Sequence, residues 1–247
     1  MVAVNTKTGQ VVAVGTQARD MLGRTPAHIT AVRPLVEGVV SDFEVTEEML
    51  SYLIQKAQVD RPPLCPRVVI GVPSGITSVE VRAVRDAARN AGAREVHIIE
   101  EPMAAALGAR LPVQEPVGTM IVDIGGGTTD IALLSLGGIV RSKNLRIAGD
   151  TMNQDISAYI RSEFKILIGD RTAEDVKIAV GTALKPTVPL TTTIRGRDLV
   201  TGLPREIVIT DADIREAIQQ SVSTIIEAIK EVLETAPPEV VADVMRL

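Results

Sequence analysis

The most restrictive feature of the chain is a run of three glycines between two apolar stretches. Residues 119–124 and 131–136 are each predicted to form a strand, and the glycine turn between them is too short for a crossover between parallel strands. A second glycine pair, Gly137 and Gly138, precedes a third apolar stretch at residues 139–143. The spacing therefore predicts three consecutive antiparallel strands joined by tight turns.

Upstream of this meander, strands and helices alternate. Residues 68–72 form an uninterrupted apolar run, which is typical of a strand covered on both faces in a parallel sheet. Thr77 and Glu80 form a capping-box pattern before an amphipathic helix. The strand-like residues 96–99 follow, and Pro102 stands in the first turn of the next helix. This β-α-β-α order places the chain in the α/β class.

Further elements complete the prediction on both sides. Thr46 is predicted to cap an amphipathic helix, and Asp150 is predicted to cap another. Residues 211–233 place apolar side chains on one face of a long helix. Two hairpins are expected, one at the amino terminus and one in the Thr-rich segment that begins at Pro186. His97 lies within an apolar strand, where a packed core residue is favoured over a catalyst.

Composition excludes several classes of protein. The chain has 247 residues, 45% of them hydrophobic, but only two Phe, two Tyr and no Trp, so stacking platforms for single-stranded nucleic acid are missing. A net charge of -5 argues against broad binding to a phosphate backbone, and we expect no nucleic-acid partner. The longest uncharged stretch, residues 8–18, is far shorter than the ~18 residues of a transmembrane helix. A single cysteine, Cys65, permits no internal disulfide and fits a reducing cytoplasm.

The glycine turn also carries the strongest chemical signal. Glycines allow the backbone to approach an anion closely, and their N–H groups can form an anion-binding nest. Asp123 at the strand end suits Mg²⁺ held through water, and Thr128 and Thr129 offer hydroxyls to phosphate oxygens or an attacking water. No Gly-Lys-Ser/Thr follows and no helix begins here, so the turn is neither a P-loop nor a dinucleotide fingerprint. On these residues alone, a phosphate loop and a plain strand-turn-strand remain about equally supported.

Several segments in order resemble the actin/Hsp70-type ATPase superfamily and, within it, the MreB family of bacterial actin-like, rod-shape-determining proteins. The resemblance covers essentially all 247 residues. The segments that carry it are residues 99–106 and 122–130, with 21–26, 33–43, 72–77, 148–150 and 196–204. It implies an actin-like (ribonuclease H-like) fold of two α/β halves with small inserted subdomains, and it implies ATP and Mg²⁺ as ligands.

The resemblance also implies roles for individual residues. Glu101 would orient the attacking water, Thr128 would be its hydroxyl partner, and Asp123 would hold Mg²⁺ through water. The residues implied to bind the nucleotide are Gly125, Gly126, Gly127, Thr128, Thr129, Gly149, Asp150, Glu174, Asp175 and Lys177. Without the resemblance, a solvated, ion-paired helix face is the favoured interpretation of Glu174 and Lys177.

The resemblance divides the chain into four parts and indicates that it is incomplete at both termini. Residues 1–35 would form small subdomain IB, 36–115 core subdomain IA, 116–151 with 211–247 core subdomain IIA, and 152–210 small subdomain IIB. The first phosphate loop of the family has no counterpart before Met1, and its adenine-binding loop has none before the chain stops at Leu247. We expect an exposed sheet edge and weak or absent ATP binding by this chain.

The functional hypothesis is a cytoskeletal protein that polymerises head to tail into filaments governing cell shape, with slow ATPase activity. Its partners would be further copies of itself and the membrane proteins of cell shape and wall synthesis. It would be cytoplasmic and peripheral at the inner face of the cytoplasmic membrane, where Leu64 and Cys65 form a weak anchor or an ordinary loop. The alternatives are a soluble ATPase of the chaperone or sugar-kinase type and a non-catalytic remnant of the same superfamily.

Overall fold

The computed structural model describes residues 1–21, 23–36, 39–58 and 65–245. Its first 58 residues contain a three-stranded antiparallel sheet in the order β2-β1-β3, a short strand pair β4-β5, and two helices. Ala3, Ala13 and Ala18 form a small buried cluster beneath the sheet. The elements are β1 (Val2–Asn5), β2 (Val11–Val14), α1 (Thr16–Asp20), β3 (Ile29–Val32), β4 (Leu35–Val36), β5 (Val39–Val40) and α2 (Phe43–Ala57).

Residues 67–108 form the predicted β-α-β-α unit. Strands β6 and β7 pair in parallel, and the helix between them packs its alanines onto one face of the pair. Thr77 and Glu80 form the predicted capping box, with the Thr77 hydroxyl accepting from the Glu80 amide at 3.3 Å. The elements are β6 (Arg67–Val72), α3 (Ser78–Asn90), β7 (Glu95–Glu100) and α4 (Glu101–Gly108).

The predicted meander is the central sheet of the remaining chain. Its strands are antiparallel in the order β10-β9-β8, and β9 is buried along almost its whole length. One face packs on α4 through Ala106, and the other packs on α7 through Ala228 and Val232 and on α8 through Val240. The elements are β8 (Thr119–Ile124), β9 (Thr129–Ser135), β10 (Gly138–Leu145), α7 (Asp211–Glu234) and α8 (Pro238–Val244).

Between β10 and α7 the chain builds a further unit with the largest core. Two helices and the start of α7 pack on an antiparallel sheet in the order β11-β12-β13. Ile156, Ile160, Ile166, Ile209 and Ile214 are fully buried there, so the core is aliphatic as the composition requires. The elements are α5 (Gly149–Phe164), β11 (Ile166–Leu167), α6 (Asp170–Val180), β12 (Thr191–Asp198) and β13 (Pro204–Thr210).

The prediction that residues 68–72 are covered on both faces is wrong. Helices α2 and α3 cover one face of the β6-β7 pair, but Val69 is 66% exposed on the other. His97 is the register partner of Val69 and is also exposed, with Nε2 lying 3.1 Å from Glu95 Oε1. His97 is therefore a surface residue and does not belong to the core.

Two predicted helix caps are also wrong. Helix α2 begins four residues early, with Asp42 as N-cap accepting from the Val45 amide at 3.1 Å, and Thr46 is a buried residue of its first turns. Helix α5 has Ala148 as N-cap, and Asp150 is its second residue. In both cases a capping residue type stands close to the true cap, so the pattern located the helix but not its first residue.

Candidate functional site

A cleft of about 830 Å³ opens between the amino-terminal region (residues 1–115) and the carboxy-terminal region (residues 116–245). The amino-terminal side contributes residues near α1 and β4, and the carboxy-terminal side contributes the glycine turn and the first turns of α5 and α6. The principal lining residues are Arg19, Arg33, Met49, Gly125, Gly126, Gly127, Arg146, Gly149, Asp150, Asn153, Arg171, Glu174 and Lys177.

The glycine turn is joined directly to the beginning of α5. The Gly125 amide donates to the Thr128 carbonyl at 2.9 Å and closes the turn. The amides of Gly149 and Asp150 donate to the carbonyls of Gly125 and Gly126 at 3.1 and 2.7 Å. A helix N-terminus therefore lies against the turn, where its dipole favours an anion.

Helix α6 extends the same wall. Lys177 Nζ donates to the Gly149 carbonyl at 2.9 Å and to Glu174 Oε2 at 2.9 Å. Asn153 Nδ2 donates to the same Glu174 oxygen at 2.6 Å, and this bond is the main reason that the pKa of Glu174 is lowered, with Lys177 and Arg19 adding to it. The buried Oδ1 of Asn153 has no hydrogen-bond partner among the described residues, so the wall holds an unsatisfied acceptor.

Three carboxylates lie together where the two regions meet. Glu101 is the first residue of α4, and Asp123 on β8 is the register partner of Asp130 on β9. Burial raises the pKa of Glu101, and the negative charges of Asp130 and Asp123 raise it further. Within the residues that the structure describes, no group of three His, Cys, Asp or Glu side chains is arranged to hold a metal ion by itself.

Three ion pairs bridge the cleft, and we call them the cross-cleft ion pairs. Arg33 pairs with Asp150, beside the glycine turn. On α1, Arg19 lies 3.5 Å from Glu174 and Asp20 lies 3.3 Å from Arg171, both on α6. The amino-terminal region thus contacts the α5 and α6 wall through charges that are mostly exposed to solvent.

The structure brings seven of the predicted nucleotide residues into the wall of the cleft. These are Gly125, Gly126, Gly127, Gly149, Asp150, Glu174 and Lys177.

Five predicted residues do not line the cleft, and Thr129 and Asp175 are two of them. Thr129 is fully buried, and its hydroxyl donates to the Ile147 carbonyl at 2.7 Å, which supports the segment before α5. Asp175 is exposed and lines a second, shallower groove between α6 and β12, because it is one position from Glu174 and points away from it. Thr129 and Asp175 were both predicted to bind nucleotide. In the structure, Thr129 supports the segment before α5 and Asp175 lies outside the cleft.

Other predicted residues lie elsewhere. Thr128 is only 9% exposed and, like Glu101 and Asp123, is not a lining residue of the cleft. Leu64 lies outside the described residues, and its neighbour Cys65 is exposed. Among the described helices, none combines enough length and apolarity to cross a bilayer.

The sequence interpretation missed Arg33, Arg19 and Asn153 as residues of the cleft. Arg33 stands in a segment that carries the family resemblance, and this was the available signal. Asn153 follows Gly149 by about one helical turn, so its side chain faces the same wall. Arg19 reaches the cleft only through tertiary contact with α6, for which the sequence contains no local pattern.

Solved structures place this arrangement in the actin-like class. The structure of MreB5 of Spiroplasma citri bound to ADP superposes with a TM-score of 0.93 at 41% identity, covering 99% of this chain and 74% of that one. A structure described as the MamK double helical filament superposes with a TM-score of 0.77 at 25% identity, covering 95% and 70%. The chain therefore has an actin-like α/β fold.

Sequence comparison then defines the family. The MreB/Mbl protein family model matches residues 1–247. The cell shape-determining protein Mbl of Bacillus subtilis is 48% identical over 245 residues, which are 99% of this chain and 74% of that protein. The cell shape-determining protein MreB of Escherichia coli is 47% identical over 237 residues, which are 95% and 68%. The chain belongs to the MreB/Mbl family.

Proposed function

We propose that this chain binds an adenine nucleotide, as Mg·ATP, in the cleft between its two regions. The observation that carries the proposal is that Gly125–127, Glu174 and Lys177 lie in one hydrogen-bonded wall of a single cleft. The cleft volume of about 830 Å³ falls in the range of roughly 300–1,000 Å³ that small-molecule sites occupy. The MreB5 structures were solved bound to ADP and to AMPPNP, which supports the same ligand here.

The residues of the wall fit a phosphate-bearing ligand. A Cβ at Gly149 would lie 3.1 Å from Lys177 Nζ and 3.2 Å from the Gly125 carbonyl oxygen, so glycine at this position allows the close packing of the glycine turn, α5 and α6. The unpartnered Oδ1 of Asn153 suits a hydroxyl or amine donor on the ligand. Mg²⁺ would be held by Asp123 through water and by phosphate oxygens, because this ion commonly keeps several waters and few protein ligands.

The chemistry that this site supports is slow hydrolysis of the terminal phosphate. Glu101 would hold the attacking water, with the Thr128 hydroxyl as second contact, and the backbone N–H groups of the glycine turn would stabilise the charge that develops. Bound Mg²⁺ would supply charge neutralisation at the phosphates. The raised pKa of Glu101 suits a carboxyl that exchanges a proton with water more readily than an ordinary surface carboxylate.

We further propose that the chain self-associates head to tail into filaments that govern cell shape. These filaments would lie at the inner face of the cytoplasmic membrane and act with membrane proteins of cell shape and wall synthesis. The Mbl and MreB relatives are described as cell shape-determining, and the MamK structure is a filament. We also propose the four-part division at residues 1–35, 36–115, 116–151 with 211–247, and 152–210. The apolar clusters around Ala3 and Ala88 each lie within one of these parts, which supports the division of the first 115 residues. The cluster around Ile156 extends to Ile214 and Ile218, so residues 152–210 share their core with the start of α7.

Titration with a fluorescent ADP analogue tests nucleotide binding. We expect saturable binding, and we expect Lys177→Ala to weaken it about tenfold, because the variant loses two charge-assisted hydrogen bonds that shape the wall. Lys185→Ala removes an exposed lysine outside the cleft lining and should leave the affinity unchanged.

Absence of saturable binding up to about 1 mM nucleotide would refute the proposal. The measured affinity also decides the expectation from sequence that the chain binds ATP weakly or not at all. Pelleting with and without ATP tests filament formation separately, and material that stays in the supernatant under both conditions would argue against it.

A further inference from the structure

The carboxylate of Asp130 makes a buried connection between the two regions of the chain. Asp130 is 2% exposed, and it follows the glycine turn on β9. Its Oδ1 accepts from the backbone amide of Ser74 at 3.0 Å, across 56 residues of sequence, and its Oδ2 accepts from Asn144 Nδ2 at 2.9 Å. Ser74 lies two residues beyond the end of β6 and is itself 7% exposed.

A carboxylate in this position is costly to bury. Both of its donors are neutral groups, and among the described residues no Lys, Arg or His forms an ion pair with it. A charge buried without a cationic partner is usually retained only where its hydrogen bonds perform a task that neutral side chains cannot. Asparagine has a single acceptor oxygen, so it would leave one of the two donors without an acceptor.

The strand held by Asp130 is the one that packs against Glu101. Gly71 and Val72 end β6, and their register partners on β7 are Ile99 and Glu100, directly before Glu101. A Cβ at Gly71 would lie 3.4 Å from Glu101 Cγ, so the backbone of β6 passes in contact range of that side chain. Moving the end of β6 therefore moves the surface on which Glu101 rests.

We propose that Asp130 is a positioning residue of the nucleotide site: by binding the Ser74 amide it fixes the end of β6 and thereby the position of Glu101 relative to the glycine turn. The inference rests on the proposed function, since Glu101 acts on water only if nucleotide is hydrolysed. It adds a residue that does not line the cleft and that positions Glu101 through Ser74 and β6. The charge of Asp130 also raises the pKa of Glu101; Asp130→Asn removes this charge and Asp130→Glu keeps it, so comparing the two variants separates positioning from charge.

The first measurement does not need catalysis. Hydrogen exchange of the full chain without nucleotide should show protected amides in residues 71–76 and 99–103. In Asp130→Asn both segments should exchange at least about tenfold faster, because the Ser74 bond is lost and β6 loosens beneath Glu101. Asp198→Asn is the control for loss of a hydrogen-bonded, largely buried carboxylate elsewhere in the chain. Asp198 is 7% exposed and accepts from the amides of Val200 and Thr201 and from the Arg205 side chain, but it lies in the β12-β13 hairpin. It should leave both segments unchanged.

The second measurement is single-turnover ATP hydrolysis. Asp130→Asn should lower the hydrolysis rate about 10- to 100-fold while the ADP dissociation constant changes less than about threefold, because positioning is lost and the cleft wall is kept. Asp130→Glu retains the charge and both oxygens but displaces the Ser74 amide, and it decides the question by the same readouts if Asp130→Asn does not fold. Asp198→Asn should stay within about twofold of the unaltered chain.

Each outcome bears on a different claim. Faster exchange at residues 71–76 with no change at 99–103 would overturn the inference, as would normal hydrolysis by Asp130→Asn. An equal loss in Asp198→Asn would overturn it too, since the effect would then be general destabilisation. If the unaltered chain binds no nucleotide, the proposed function fails, and the exchange measurement still shows whether Asp130 governs the segment that carries Glu101.

Discussion

The cross-cleft ion pairs on α1 and α6 should hold the mouth of the cleft closed. Asp20 and Arg171 are separated by 3.3 Å, and their side chains are 60% and 49% exposed. Reversing one charge with Asp20→Lys places two cations at this position. We expect the two regions to separate at the mouth, and we expect the double reversal Asp20→Lys/Arg171→Glu to close it again.

The exposure of the pair sets the size of the effect. An exposed ion pair contributes about 0.2–1 kcal/mol, and like charges at the same place are unfavourable by a similar amount. Loss of about 0.5 kcal/mol of attraction together with about 0.5 kcal/mol of repulsion gives about 1 kcal/mol, which is roughly a fivefold rise in the ratio of open to closed molecules. Salt near 1 M shortens the screening length to about 3 Å and should reduce the difference between variants.

Distance measurement between two spin labels reports the opening directly. The single native cysteine, Cys65, is exposed and can be replaced by serine. Labels at Gln17→Cys on α1 and Ile178→Cys on α6 occupy exposed positions on the two sides. Asp20→Lys should add a population at longer distance.

Glu206→Lys is the matched control, because it reverses one charge of the exposed Arg195–Glu206 pair on the β12-β13 hairpin. It should leave the distance distribution as it is. The ion pair does not hold the mouth closed if Asp20→Lys keeps the original distribution, if the double reversal fails to restore it, or if Glu206→Lys opens the cleft equally.

Three further predictions concern the fold around the site. The pKa of Glu101 is raised in the folded state, so the contribution of this group to the free energy of unfolding is complete below the ordinary glutamate range and is lost as pH rises through the raised pKa. Glu101→Gln should remove that part of the pH dependence of the unfolding free energy measured in urea. An unchanged pH dependence would contradict the prediction. Burial and the neighbouring Glu216 carboxylate raise the pKa of Tyr159 to about 12. Ultraviolet titration of tyrosine ionisation should therefore show one transition well above the ordinary tyrosine range, and Tyr159→Phe should abolish it. Ionisation of Tyr159 near ~10 would contradict the prediction. A Cβ at Gly118 would lie 2.5 Å from the Val240 carbonyl oxygen, so Gly118→Ala should lower the free energy of unfolding by about 1–3 kcal/mol in chemical denaturation. In the control Gly108→Ala, the added Cβ meets no atom within 4 Å, so this variant should not be destabilised. Equal destabilisation of both variants would show that the contact with α8 is not the cause.

Elements whose signals are local were predictable from the sequence. The capping box of Thr77 and Glu80 lies within four residues, and the structure confirms it. The meander was predictable because two glycine turns leave no room for any connection other than a hairpin. The actin-like fold followed from ordered segments of resemblance, and the structural comparison confirms it.

Features that depend on distant parts of the chain were not predictable. An apolar run such as residues 68–72 does not reveal whether other elements cover one face of the strand or both. In the structure, one face of the β6-β7 pair is exposed. Arg33 and Asp150 are 117 residues apart, and no periodicity connects them. Asp130 lies at the end of the glycine motif, yet its bond to Ser74 joins two different sheets, and no local pattern predicts that contact.

The contacts on the two sides of the cleft differ in kind, and the difference predicts where the molecule moves. On the carboxy-terminal side, backbone and side-chain hydrogen bonds join the glycine turn to Gly149, Gly149 to Lys177 and Lys177 to Glu174, so this wall is one connected unit. Among the residues that the structure describes, the ion pairs that join the amino-terminal side to that wall are the largely exposed cross-cleft ion pairs. The buried bond from Asp130 to Ser74 joins the regions where the three carboxylates meet. Because the contact at the mouth is weak and the one at the base is buried, we expect the two regions to move more readily at the mouth than at the base. Nucleotide that engages both sides would therefore alter the mouth, and the base that positions Glu101 would keep its geometry.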